Sequence, residues 1–122
     1  MKKILIAEDD KEIRELLQKR LKKAGYDVTV AVNGKEALIS CKDFHPNLVL
    51  LDIAVPEMDG YQACEKLKQD ADTEDIDVLF LTGKDLDPLG MLKRCEELGA
   101  CGYITSPHTF EELLEKIQEI MK

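Results

Sequence analysis

At 122 residues the chain has the length of one domain, expected over residues 1–122, long enough to bury a core without disulfides or a structural metal. Hydrophobic residues at 44% and charged residues at 34% exclude disordered and fibrous classes. With 25 acidic residues against 17 basic, the net charge of −8 argues against a surface built for phosphate backbones, so direct nucleic-acid binding is not expected.

The chain opens on Met1-Lys2-Lys3, followed by four apolar residues before Glu8. That run is too short for a signal peptide or a membrane span, so no membrane association is expected and the cytoplasm is the expected location. Residues 4–7 instead read as a short buried strand, and residues 48–51 and 78–81 read the same way: continuous apolar runs suit parallel strands covered by helices on both faces. Between the first two lies an amphipathic stretch with Ile13, Leu16, Leu17 and Leu21 at helical spacing, opened by Asp9 with Glu12 and stopped near Gly25. Residues 28–32 form a more mixed strand that includes Thr29. Asn33 with Glu36 then caps a second helix. A further mixed strand at residues 103–105 leads, through a cap of Thr109 with Glu112, into a last helix carrying Leu113, Leu114, Ile117 and Met121, while Gly99 closes the fourth helix. The mixed strands are expected at the sheet edges. Cys41, Cys64, Cys95 and Cys101 show no C-x-x-C pair and no histidines at zinc-ligand spacing, so they read as buried small hydrophobes in a reducing compartment.

Five β-α repeats with right-handed crossovers give a doubly wound α/β fold, (βα)5, with a five-stranded parallel sheet in the flavodoxin-like order 2-1-3-4-5. In such a sheet the functional crevice opens at the carboxyl ends of strands one and three, where the winding reverses. Glu8, Asp9 and Asp10 leave the first strand there and Asp52 leaves the third. Two unit charges about 4 Å apart at an effective dielectric of ~20 repel by on the order of 4 kcal/mol, so such a cluster needs a counterion or a raised pKa. Hard carboxylate oxygens with room for water suit Mg²⁺, which also neutralises an incoming phosphoryl group. Taken singly, Asp9 serves equally well as a helix cap and Asp52 as a polar strand end; it is their joint placement at one crevice that points to a site. Thr82 and Gly83 leave the adjacent strand, a hydroxyl beside a residue that permits close backbone approach.

The runs ILIAEDD at 4–10, LVLLDIAVPEMDG at 48–60, FLTGKD at 80–85 and ELGACGYITSP at 97–107 resemble, in order and spacing, the landmarks of the receiver domains of two-component response regulators, and they span nearly the whole chain. The resemblance implies a phosphoryl switch in which Asp52 is the phosphoacceptor. Asp9 and Asp52 would hold Mg²⁺ directly, Glu8 mainly through water, and Ala54 through its backbone carbonyl. Thr82 would contact the phosphoryl group and Tyr103 would turn inward in response. The donor would be a sensor histidine kinase or phosphotransfer protein. A downstream protein target, or a homodimer partner, would meet the surface of the fourth helix, fifth strand and fifth helix. Such a module is a signalling switch that takes part in its own phosphorylation and dephosphorylation, not an enzyme in the ordinary sense.

One position departs from the pattern. Receivers usually carry a lysine followed by proline after the fifth strand, and here Ser106 stands before Pro107. The resemblance implies a cis Ser106-Pro107 bond, and it leaves Lys84 and His108 as conceivable replacements for the missing cation; His45 belongs to a loop at the opposite end of the sheet. A second reading follows from Ser106: a pseudo-receiver, which keeps the fold as a phosphorylation-independent interaction module. A flavin-type phosphate loop would need small and hydroxylated residues where EDDKE stands. A hydrolase would want a second catalytic acid close to its nucleophile, and Ile53 and Ala54 offer none.

Overall fold

The computed structural model describes residues 2–54, 57–83, 87–106 and 108–121. The expectations about Lys84 and the Ser106-Pro107 bond lie outside the described residues. The elements alternate as β1 (Lys3–Ala7), α1 (Lys11–Lys23), β2 (Asp27–Ala31), α2 (Gly34–Phe44), β3 (Leu48–Asp52), α3 (Gly60–Gln69), β4 (Asp77–Thr82), α4 (Pro88–Leu98), β5 (Gly102–Thr105) and α5 (Phe110–Ile120). The sheet is parallel with the order β2-β1-β3-β4-β5, as the sequence predicts, and the mixed strands β2 and β5 are its edges.

The continuous apolar runs are what let this sheet carry helices on both sides. Successive side chains on a strand point to opposite faces, so each run feeds two cores. Leu5, Ala7, Val49, Leu51, Val78 and Phe80 face Ala37 and Cys41 of α2, Ala63, Cys64 and Leu67 of α3 and Cys95 of α4. Ile4, Ile6, Leu48, Leu50, Leu79 and Leu81 face Leu21 of α1 and Leu113 and Ile117 of α5. Fully burying one such aliphatic or aromatic side chain contributes about 1.5–3 kcal/mol.

Three expectations are corrected here. The cap of α1 is Asp10, whose Oδ1 accepts from the backbone N–H groups of Glu12 (2.9 Å) and Ile13 (3.2 Å), because β1 ends at Ala7 and the chain needs Glu8 and Asp9 to cross the end of the sheet. Ile13 and Leu16 are 47% and 51% exposed, and only Leu21 of the α1 stripe is fully buried. Periodicity marks one face of a helix, and here only the carboxyl-terminal part of that face packs on the sheet. Cys101 is exposed, since it lies in the turn before an edge strand, whereas Cys41, Cys64 and Cys95 are buried free thiols. Burial pushes the Cys41 thiol up to about 12 and the Cys64 thiol to about 11, which suits inert packing groups.

The other signals hold. Asn33 caps α2, and Thr109 and Glu112 form a capping box on α5. Gly99 ends α4 with φ 77, in the left-handed region that glycine tolerates. No helix among the described residues is long and apolar enough to cross a membrane.

Candidate functional site

The strand register delivers the acids to one place. Ala7 lies beside Leu51 across the β1–β3 pair, so Glu8 and Asp9 leave β1 at the level where Asp52 ends β3. One carboxylate oxygen from each of Glu8, Asp9 and Asp52 falls within 4.8 Å of the others. Their environments differ: Glu8 is buried, Asp52 half-buried and Asp9 exposed.

Local backbone bonds fix this arrangement. The Glu8 N–H donates to Ala31 O of β2 at 3.1 Å, and Glu8 Oε1 accepts from the Asp10 N–H at 3.1 Å. Arg14, one turn into α1, points back toward the helix start, and its Nη1 donates to the backbone oxygens of Glu8 (2.9 Å) and Asp9 (3.3 Å). Asp52 Oδ1 accepts from the Ala54 N–H at 2.8 Å, and the Ile53 N–H donates to Leu81 O at 3.1 Å, tying the start of this loop to β4. The loop turns sharply: Glu57 and Met58 take φ of 56 and 124, which costs non-glycine residues energy and is common where a site is held in a set shape. Two glycines admit that turn. A Cβ on Gly60 would stand 2.9 Å from the backbone oxygen of Asp52 and 2.7 Å from Ile53 Cα, and one on Gly34 would strike the backbone carbonyl of Met58.

Burial and the neighbouring Asp52 carboxylate raise Glu8 to about 8 from an ordinary 4.5, so the cluster holds more negative charge than it can carry unaided. Among the described residues no ion pair reaches Glu8, Asp9 or Asp52. Three hard carboxylates beside open space fit a small divalent cation such as Mg²⁺, which takes one or two carboxylates and keeps several waters.

Above the acids lies a cavity of about 270 Å³. Glu8, Asp52, Ala54, Thr82, Gly83 and Ser106 all border it, so six positions read from the sequence as leaving the carboxyl ends of the strands are brought together. Ser106 is exposed, and its N–H is held by the backbone oxygens of Thr82 (2.9 Å) and Gly83 (3.2 Å). Tyr103 stands apart from the cavity, half-buried on β5 beside Phe80 and packed against the α2–α4 core layer. Sequence reasoning missed Ile13 and Leu17 as walls of the cavity, and it gave no place to Arg14. The latter carries a readable signal, a long cation four residues after the cap of a helix whose start is acidic.

A five-stranded doubly wound sheet with three carboxylates at its switch point defines an acidic-pocket α/β module. The chain belongs to the response regulator receiver domain family, whose model matches residues 4–118, and so to two-component signalling. It is 36% identical over 118 residues to Protein PilG of Pseudomonas aeruginosa, covering 95% of this chain and 84% of that one. It is 35% identical over 125 residues to the DNA-binding dual master transcriptional regulator RpaA of Synechocystis, covering all of this chain and 50% of that protein. The chain spans about half the length of most of the curated relatives it matches. Among solved structures, chemotaxis response regulator CheY4 of Vibrio cholerae superposes with a TM-score of 0.90 at 26% identity, covering 98% of each chain. A CheY-like receiver domain protein of Methanospirillum hungatei gives 0.87 at 32% identity, covering 98% of this chain and 92% of that one.

Proposed function

We propose that Asp52 accepts a phosphoryl group from a phosphohistidine on a sensor histidine kinase or phosphotransfer protein, and that the module changes its interaction surface in response. The observation that carries this reading is the convergence of Glu8, Asp9 and Asp52 within 4.8 Å beneath a cavity bordered by Thr82. An Asp52 oxygen attacks phosphorus, an acyl phosphate O–P bond forms, the P–N bond of the donor breaks, and the imidazole leaves with its proton. Positioning and electrostatics dominate such transfers, so the chain needs little more than an aimed carboxylate and charge compensation. Mg²⁺ held by Asp9, Asp52 and the Ala54 carbonyl, with Glu8 acting through water, would supply that compensation. Thr82 donates its hydroxyl to a phosphoryl oxygen, and Tyr103 follows by turning inward.

The surface expected to change is α4, β5 and α5. Leu89 and Leu92, 80% and 55% exposed on α4, support it as the contact for a downstream protein or a second copy of the chain. Ser106 supports the second reading, a phosphorylation-independent pseudo-receiver, since a serine at the cavity adds no positive charge. Intact mass after incubation with acetyl phosphate and Mg²⁺ separates the two. The natural chain should gain one phosphoryl group and Asp52→Ala none. Equal gain by both would remove Asp52 from the role, and no gain by either would favour the pseudo-receiver.

A further inference from the structure

The cavity over Asp52 must receive a dianionic group beside Glu8 and Asp52, yet among the described residues no lysine or arginine side chain borders it. Among the described residues, the one bordering side chain able to become a cation is His108. It is half-buried between β5 and α5, and its Nδ1 lies 3.2 Å from Thr105 O. A carbonyl can only accept, so Nδ1 carries the hydrogen in that contact and Nε2 is the nitrogen left for another partner. The ring is thus anchored through one nitrogen at the rim of a cavity whose other polar walls are two carboxylates and the hydroxyls of Thr82 and Ser106.

We propose that His108, as imidazolium, donates through Nε2–H to an oxygen of the phosphoryl group on Asp52, a phosphoryl-binding role that rests on Asp52 being the acceptor. The neutral ring offers at Nε2 only a lone pair, which would face the phosphoryl oxygens with the wrong sign. Binding of the dianion and protonation of His108 therefore favour one another. Of the charged groups on the neighbouring elements, Glu8 and Asp52 border the same cavity, Arg14 of α1 is bound to the backbone of Glu8 and Asp9, and Glu111 and Glu112 stand in the first turn of α5. The site's hold on its ligand then depends on the proton carried at Nε2, which a rise in pH removes.

The test is binding of the phosphoryl mimic beryllofluoride with saturating Mg²⁺, followed by fluorine NMR, in the full natural chain, His108→Gln, His108→Arg and Lys84→Ala. At about pH 6 the natural chain should bind roughly tenfold more tightly than His108→Gln, the scale of one charge-assisted hydrogen bond, and the ratio should fall toward about one near pH 8.5. His108→Arg should keep the tight binding at both values. Glu8 is common to every variant, so the ratio isolates His108. A ratio of one throughout, or an equal loss at every pH, overturns the proposal, as does Lys84→Ala losing the tight binding while His108→Gln keeps it. Absence of an acyl phosphate by intact mass in all variants overturns the Asp52 reading itself and this one with it, a result distinct from an acyl phosphate whose mimic binding ignores His108.

Discussion

The two ends of the one sheet treat charge in opposite ways. At the amino ends of the strands, charges are tied down. Lys68 Nζ donates to Glu74 O at 2.9 Å and Ile76 O at 2.6 Å, Lys3 Nζ to Phe44 O at 3.0 Å, and Lys42 meets Asp70 at 2.8 Å. At the carboxyl ends, three carboxylates crowd together, and Arg14 beside them is bound to backbone oxygens instead. The first arrangement stabilises a fold. The second leaves a mismatch that a cation from solution can relieve, and a site that binds must be incomplete in some such way.

Breaking the amino end should weaken the fold directly. Lys68→Met leaves two backbone carbonyls without their donor, and we expect a loss of about 1–3 kcal/mol in urea unfolding, with acid-pocket behaviour unchanged. An unfolding midpoint equal to that of the natural chain would mean the contact is ornamental. At the other end, Mg²⁺ should raise stability, by about 1.4 kcal/mol when its free concentration is tenfold above Kd. Asp9→Asn should remove most of that gain while leaving the metal-free chain as stable or more so, because one repelling charge is gone. A melting temperature indifferent to millimolar Mg²⁺ would count against the cluster as a metal site.

The effect at Glu8 depends on pH. Its folded value, about 8, lies above the ordinary 4.5, so between those limits the folded chain holds a proton that the unfolded chain has released. Stability of the metal-free chain should therefore be fully present below about 4.5, decline as pH rises through the window, and level off above about 8. Glu8→Gln should flatten this dependence. Thermal melts across the window in chelator decide it, and a slope identical in both chains would mean another group is responsible.

Much of the fold was legible because each layer left a separate trace. The continuous runs at residues 4–7, 48–51 and 78–81 read as strands covered on both faces, and the two mixed strands as edges, as the sheet has them. The acids were legible because the switch point is a consequence of strand order. Less accessible were choices between neighbours. Asp9 and Asp10 are equally good caps as residue types, and the end of β1 decides in favour of Asp10, which releases Asp9 to the cluster. Ile13 and Leu16 keep helical spacing whether or not a sheet lies beneath them. His108 had no periodic pattern to place it, since its position at the cavity is set by tertiary structure.

Gly34 and Gly60 carry a consequence for how this molecule can vary. The backbone fills the space where their side chains would begin, Met58 against one and the Asp52–Ile53 peptide against the other. No exchange of a neighbouring side chain can open that space, because the obstruction is the main chain itself. In any lineage or mutagenised library built on this fold, these two positions behave as fixed points, and diversity must accumulate around them.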